Sequence, residues 1–442
     1  MTHRAIDRAS SADLINLLSD VGPVPMQVGA CLLLDAGPAF DLSVAQRLVA
    51  ERVRAVPRLR QRLVRTPPGC GRPVWVDDPS FDISRHLRRT RCPPPGDERA
   101  LLDLAADVIT EPLPDSRPLW SAVFVTGLAD HNGRDPHDVA LVVCFHHVLA
   151  DGIGGLAVLA SLVDGMPVPP PGPFPRPAPS GLGLAASAWV SRLRVLARLP
   201  ATLLNIGGAA AELGARSPVR AARCSLNSPS GRKRRLAVVT ARLDAARLLA
   251  HASGGTVNDA ILTAVTGAVR ELLRSRGEVI PALVVSVPVS ARASATAGHL
   301  GNQAGVMPVA LPVDGSIQRR LERIAAITRA HKVSAPGASA GLLAGAFRLL
   351  AGFGVYGWFI NHQRMIHTYV SNLRGPDQPL TLGGAAVSAV IPITLITGNV
   401  TVAFGALSYA GTLAITIIAD PDTVPDMSVL TTALRAELAS CG

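Results

Sequence analysis

The sequence predicts an α/β (α+β) protein of two domains, each a mixed sheet covered by helices, on three observations. Its 442 residues exceed the roughly 100–200 of one ordinary domain. Short runs rich in Val, Ile and Leu alternate with stretches of helical spacing in both halves, the pattern of layered sheets and helices. A proline-dense break, "MPVPPPGPFPRPAPS" at 166–180, lies between them, and its residues cannot continue a helix or a central strand. The expected organisation is a first domain over 1–165, a linker with a helix over 166–225, and a second domain over 226–442. Apolar residues at 48% against 17% charged supply two cores and exclude a disordered chain.

From the N-terminus, "MTHRAIDRASSADLINLL" has no uninterrupted apolar run of the signal-peptide kind, so a mature cytosolic start is expected. Leu141–Phe145 is a short, wholly apolar run and reads as a buried strand. After the linker, Leu182, Ala185, Trp189, Leu193 and Leu196 recur every three or four residues, with Arg194 and Arg198 opposite. This basic amphipathic helix either packs on a neighbouring domain through that face or lies in a membrane interface. "GRKRR" at 231–235 leads into the strand-like "LAVVT" and reads as a solvated strand edge, where cations discourage edge pairing. The stretch from Asn258 has helical spacing and stops at Gly277, whereas Leu283–Pro288 and Leu413–Ile418 are short β-type runs. The apolar segment from Ser339 to Ile360 carries Arg348 at its centre and reads as a buried or interfacial helix, not a membrane span.

An excess of 43 Lys+Arg over 32 Asp+Glu gives a net charge of +11, which suits nucleic acid, an anionic membrane or an acidic small substrate. Aromatics, at 4%, are too few around the basic run to stack bases, which argues against nucleic acid. The six cysteines (31, 70, 92, 144, 224 and 441) show neither paired spacing nor Cys-x-x-Cys, so neither a disulfide framework nor a zinc site is expected. No oligomeric interface is legible.

The chemistry concentrates in "HHVLADG", where His146 and His147 end the apolar strand and Asp151-Gly152 marks a turn. A neutral imidazole can take a proton from a hydroxyl near neutral pH if a second group fixes its tautomer. Successive strand residues face opposite ways, so one histidine reaches a substrate. His147 is the candidate base, with His146 supporting the geometry. Asp151 either orients the imidazole or holds the turn by pairing with an arginine such as Arg117 or Arg292. No His-x-x-x-His or acidic partner completes a metal site, and no Gly-x-Ser-x-Gly supports a serine triad.

His-His-x-x-x-Asp-Gly after an apolar strand resembles the signature of the acyl-CoA-dependent acyltransferase superfamily. The flanking stretches are similar, in order and over nearly the whole chain, to the bacterial wax ester synthase/diacylglycerol acyltransferase family. They include "PMQVGACLLLD", "GRPVWVDDPSFDISRHLR", "SRPLW", "TVNDAILTAVTGAVR", "LGNQAGVMPVALP" and "SNLRGP". The resemblance implies two domains of the chloramphenicol-acetyltransferase type with the active site in a tunnel between them. It further implies an O-acyltransferase in which His147 deprotonates an acceptor alcohol and the oxygen attacks a long-chain acyl-CoA directly. Acyl-CoA is then a co-substrate and no cofactor is expected; the acceptor is diacylglycerol or a long-chain alcohol. The expected location is cytoplasmic, with attachment at the membrane or a lipid-droplet surface, where excess positive charge helps.

By the same resemblance, Gly152 supports the site, and Asn258, Asp259, Ser371 and Asn372 match the family's Asn-Asp and Ser-Asn motifs. Their blander readings are a helix N-cap at Asn258 or Asp259 and a turn at Ser371-Asn372. Trp120 reads as core. Two departures, Ser121 after "PLW" and "PVSAR" ending at Arg292, leave substrate preference open. The motif alone also admits an enzyme that takes its acyl group from a carrier protein, or a silent lipid-binding relative.

Overall fold

The computed structural model describes residues 6–129, 138–166, 172–194, 220–290, 304–333 and 355–439. The first half contains α1 (Ser11–Ser19), β1 (Gln27–Asp35), α2 (Leu42–Ala55), a hairpin of β2 (Gln61–Val64) and β3 (Val74–Asp77), and β4 (Leu87–Arg91). It continues with α3 (Glu98–Thr110), β5 (Trp120–Thr126), β6 (Val139–His146) and α4 (Gly152–Leu162). A helix α5 follows over 181–194. Then come β7 (Arg235–Arg242), α6 (Leu243–Ala252), α7 (Val257–Ser275), β8 (Ala282–Ser290), β9 (Ala304–Pro312), α8 (Ile317–Val333) and α9 (Tyr356–His362). The chain ends with β10 (Thr368–Arg374), β11 (Thr381–Leu382), β12 (Ala385–Ile393), β13 (Val402–Tyr409), β14 (Thr412–Ala419) and α10 (Met427–Ala439).

Two mixed six-stranded sheets result, ordered β11-β12-β1-β6-β5-β4 and β7-β14-β13-β10-β8-β9. The second half of the chain is not self-contained. Strands β11 and β12, which the sequence places in a domain over 226–442, complete the first sheet, and β12 pairs antiparallel with β1 from Gly29↔Ile393 to Asp35↔Ala386. Without β12, the apolar β1 would present an open edge, an invitation to foreign strands. Strand periodicity carries no mark of which sheet a strand will join.

The apolar runs bury as alternation requires. Val139, Leu141, Val143 and Phe145 of β6 join one core with residues of α2 and α4. Ala140, Val142 and Cys144 face α3, in a core that also contains Leu236, Ala403 and Ile418 of the second sheet. Helix α3 is therefore packed between the halves. Helix α7 runs through the centre of the second core, with Ile261, Leu262, Val265 and Val269 fully buried, and ends just before Gly277, whose φ of 74° is left-handed. Trp120 is core, 2% exposed, and its indole N–H donates to Leu59 O at 2.7 Å.

Two expectations change in detail, and a third falls largely outside the described residues. Helix α5 packs through Leu184 and Ala188, not through the predicted face, and leaves Leu182, Trp189 and Leu193 exposed. In the basic run before the edge strand β7, Arg234 is buried, not solvated; burial lowers its pKa to about 10, and its Nη1 donates to the carbonyls of Gly231 and Lys233. Of the segment 339–360, the part before 355 lies outside the described residues, and the rest opens the short α9. No described helix is long and apolar enough to cross a membrane.

Helix α4 sits directly on β6. A Cβ on Gly155 would lie 2.3 Å from Phe145 Cζ. Overpacking costs about 1–3 kcal/mol, against about 1 kcal/mol gained from the helix propensity of alanine. Gly155→Ala is therefore expected to lower the urea midpoint of unfolding. An unchanged or raised midpoint would show that Phe145 swings aside at no cost.

Candidate functional site

Strand β6 ends at His146, in register with Gln27 of β1, and the chain turns through 147–151 into α4. The turn is closed by Leu149 N–H to His146 O at 2.9 Å. Asp151 caps the helix, its Oδ1 accepting Gly154 N–H at 2.9 Å, and is 4% exposed. This bond holds the start of the helix; Arg292 lies outside the described residues.

The two histidines have different environments. His146 is buried, 5% exposed, and both ring nitrogens are engaged: Nδ1 accepts Val148 N–H at 3.0 Å, and Nε2 lies 3.0 Å from Asp20 Oδ2. An amide donor at Nδ1 puts the ring proton on Nε2, which donates to the carboxylate. His146 has no lone pair left for a substrate and acts as scaffold. His147 is half-buried, and its backbone N–H donates to Met26 O at 2.8 Å. Between them the motif offers His147 as the base.

Asp20, the C-cap of α1, is a site residue that sequence reasoning missed. Burial alone pushes its carboxyl up, but the hydrogen bond and electrostatic attraction of His146, with Met26 N–H donating to Oδ1 at 2.9 Å, hold it below the ordinary carboxylate value. Met26 in turn holds His147. Asn16, on the same helix, reaches the ring of His147, with its Nδ2 3.2 Å from Nδ1. Nothing in sequence spacing links α1 to a motif well over 100 residues away; the available signal is the pairing of β1 with β6, which brings the end of α1 beside the histidines.

The second half meets the motif through β10. A Cβ on Gly152 would lie 2.9 Å from Leu373 Cδ2, so the two halves approach closely here. Tyr369 and Leu373 pack against cores of the first half, whereas Val370 packs with α7. By alternation Ser371 faces the first half and Asn372 faces α7, where its Nδ2 donates to Asn258 Oδ1 at 3.4 Å. Ser371 and Asn372 lie in a strand, parallel to β13 at Gly405 and Ala406, and not in a turn.

Helix α7 is capped by Thr256, not by Asn258 or Asp259. Asp259, at N3, completes a capping box: its Oδ2 accepts from Thr256 N–H and Oγ1, both at 2.8 Å, while Oδ1 accepts from Thr328 Oγ1 at 2.7 Å. These bonds hold the start of α7. A small apolar cavity of about 20 Å³, lined by Leu32, Leu156, Leu159, Val390, Leu407 and Tyr409, lies beside α4 between the halves. Among the described residues no cluster of His, Cys, Asp and Glu is arranged to hold a metal ion.

A family model described as the wax ester synthase/diacylglycerol acyltransferase catalytic domain matches residues 10–261, and one described as the WS/DGAT C-terminal domain matches residues 300–441. A Mycobacterium tuberculosis protein named as a probable diacylglycerol O-acyltransferase is 30% identical over 421 residues, covering 92% of this chain and 89% of that one. The fold is similar to that of a wax ester synthase/diacylglycerol acyltransferase from Marinobacter aquaeolei VT8, with a TM-score of 0.70 at 23% identity over 99% of this chain and 98% of the other. It is also similar to the first condensation domain of the calcium-dependent antibiotic synthetase, with a TM-score of 0.61 at 20% identity over 99% and 96%. Both halves thus have the chloramphenicol-acetyltransferase type of architecture.

A carboxyl held below its unfolded value contributes stability that is complete above that value and disappears as pH falls through the lowered folded one. Asp20→Asn is therefore expected to be less stable than wild type by a constant margin between about pH 5 and 8, closing below about pH 4. Urea midpoints across this range check it. A margin undiminished at about pH 3, below the unfolded value, would mean that ionisation of Asp20 is not its source.

Proposed function

The chain belongs to the wax ester synthase/diacylglycerol acyltransferase family, and from that premise we propose that it moves a long acyl chain from acyl-CoA to diacylglycerol, and also to long-chain alcohols. The observation that carries the reading is the full engagement of His146, which leaves His147 as the base of the motif at the junction of the two halves. His147 takes the acceptor hydroxyl proton as the oxygen bonds to the thioester carbonyl carbon. The C–S bond then breaks, and the imidazolium returns the proton to the departing thiolate as free CoA. Acyl-CoA is a co-substrate here, and no step calls on a resident cofactor.

The developing oxyanion needs a fixed donor. Ser371, on the face of β10 turned toward the first half, is the residue of the second half best supported for this role. Peripheral attachment to lipid is supported by α5, which exposes Leu182 at 86%, Trp189 at 61% and Leu193 at 59%, with Arg192 over the Trp189 ring. The chain's net charge of +11 favours an anionic surface and the phosphates of CoA.

The test incubates wild type and His147→Ala with labelled palmitoyl-CoA and either dioleoylglycerol or hexadecanol, with lipid products separated by thin-layer chromatography. Wild type is expected to yield labelled triacylglycerol or wax ester, and the variant to be slower by about 10²- to 10⁴-fold. Equal rates would remove His147 as the base. No product from wild type would shift the donor from acyl-CoA to a carrier-bound thioester.

A further inference from the structure

Helix α1 turns two polar side chains, four residues apart, toward the motif, and each meets a different histidine. Asp20 takes Nε2 of His146, while Asn16 sets its Nδ2 3.2 Å from Nδ1 of His147 and 3.4 Å from the His147 carbonyl oxygen. Residues at this spacing share a helix face, so one element reaches both rings.

A neutral imidazole has one N–H and one lone pair. An amide N–H aimed at Nδ1 consumes the lone pair and puts the ring proton on Nε2, and a ring in that state cannot accept a hydroxyl proton. This is the arrangement that disqualifies His146. The carboxamide of Asn16 differs in one respect: its oxygen and nitrogen are nearly equal in shape, and a half-turn of the group exchanges them. After that half-turn Oδ1 accepts Nδ1–H across the same 3.2 Å, at the cost of the longer bond to the carbonyl, whose oxygen it then faces at 3.4 Å.

We propose that Asn16 is the positioning residue for His147, its Oδ1 holding the Nδ1–H tautomer and leaving Nε2 to take the acceptor's proton. The inference rests on the acyl-transfer reading of His147. As the imidazolium forms, the carbonyl dipole of Asn16 faces the positive ring and steadies it. Val148 N–H faces Nδ1 of His146 from the backbone and cannot turn. The division of labour between neighbouring histidines thus follows from one donor that is fixed and one amide that rotates.

The experiment compares wild type with Asn16→Leu, similar in size but without polar atoms, and Asn16→Asp, an acceptor without donors. Two readouts are taken: steady-state kinetics across pH, and ¹⁵N spectra of the imidazoles at neutral pH, with His147 assigned by its substitution. Asn16→Leu is expected to lower kcat on the order of 10- to 100-fold with the acceptor KM changed by less than about twofold. Asn16→Asp is expected to keep most of the activity and to move the acid limb of the kcat profile up by about one pH unit, because a carboxylate beside Nδ1–H favours the imidazolium. In the spectra, wild-type His147 is expected as the Nδ1–H tautomer and the leucine variant as a mixture.

A leucine variant with wild-type kcat would overturn the proposal. So would equal losses in both variants with an unmoved acid limb, which would make the contact structural. If wild type transfers no acyl group to any lipid acceptor, the functional reading fails, yet the spectra still decide this point: a wild-type His147 protonated at Nε2 sinks it without any turnover.

Discussion

One carboxylate holds both histidines. Asp20 Oδ2 takes the ring of His146, and its Oδ1 takes the backbone N–H of Met26, whose carbonyl accepts the backbone N–H of His147. Hydrogen bonds to a charged group are worth about 1.5–3 kcal/mol each, so the turn after β6 is tied down at two points, the His146 ring directly and His147 N–H through Met26, by a residue at the end of α1. That helix is fixed in its own right by a capping box at Ser10 and Asp13, and by Ser19 Oγ donating to Tyr356 OH at 2.9 Å. An N-terminal helix that could have been a dispensable lead-in is a wall of the site.

The same economy joins the two sheets. Strand β12 leaves the second half to border β1, so the chain passes between the sheets and returns to the second one at β13. Gly152 lets Leu373 approach the start of α4, and α3 is packed against both sheets. Halves linked by an exchanged strand and a shared core cannot drift apart without breaking β-ladder bonds. A base on one half and supporting groups on the other then keep a fixed separation, which is what positioning contributes to rate.

Much of this is legible in the sequence because local physics writes it there. The β-type runs at Leu141, Leu283 and Leu413 are strands and the stretch from Asn258 is a helix that stops at Gly277, whereas the turn expected at Asp151-Gly152 lies just before it, Asp151 capping α4 and Gly152 opening it. What the sequence hides is long-range. The sheet that β12 joins, the partners of Asp20 and Asn16, and the face by which α5 packs depend on which surfaces meet, and no spacing within a segment encodes that. The buried Arg234 illustrates the point: a basic run reads as solvated until Gly231 O and Lys233 O are seen to take its guanidinium.

The three dipeptides that the family resemblance marks obey a common geometric rule. Neighbouring residues diverge by about 100° on a helix and point to opposite faces on a strand, so a pair of adjacent polar residues cannot both aim at one reacting atom. In "HH", His146 is spent on Asp20 and Val148 while His147 stays at the site. In "ND", Asp259 is spent on Thr256 and Thr328. In "SN", Asn372 turns to α7 and meets Asn258, while Ser371 looks toward the first half. In "HH" and "SN" one member anchors the element and the other is displayed by it, while in "ND" both are engaged, Asn258 by Asn372. The Asn258–Asn372 bond therefore matters less as chemistry than as registration: it pins β10 to the first turn of α7, and in doing so sets where Ser371 stands relative to the turn that carries His147.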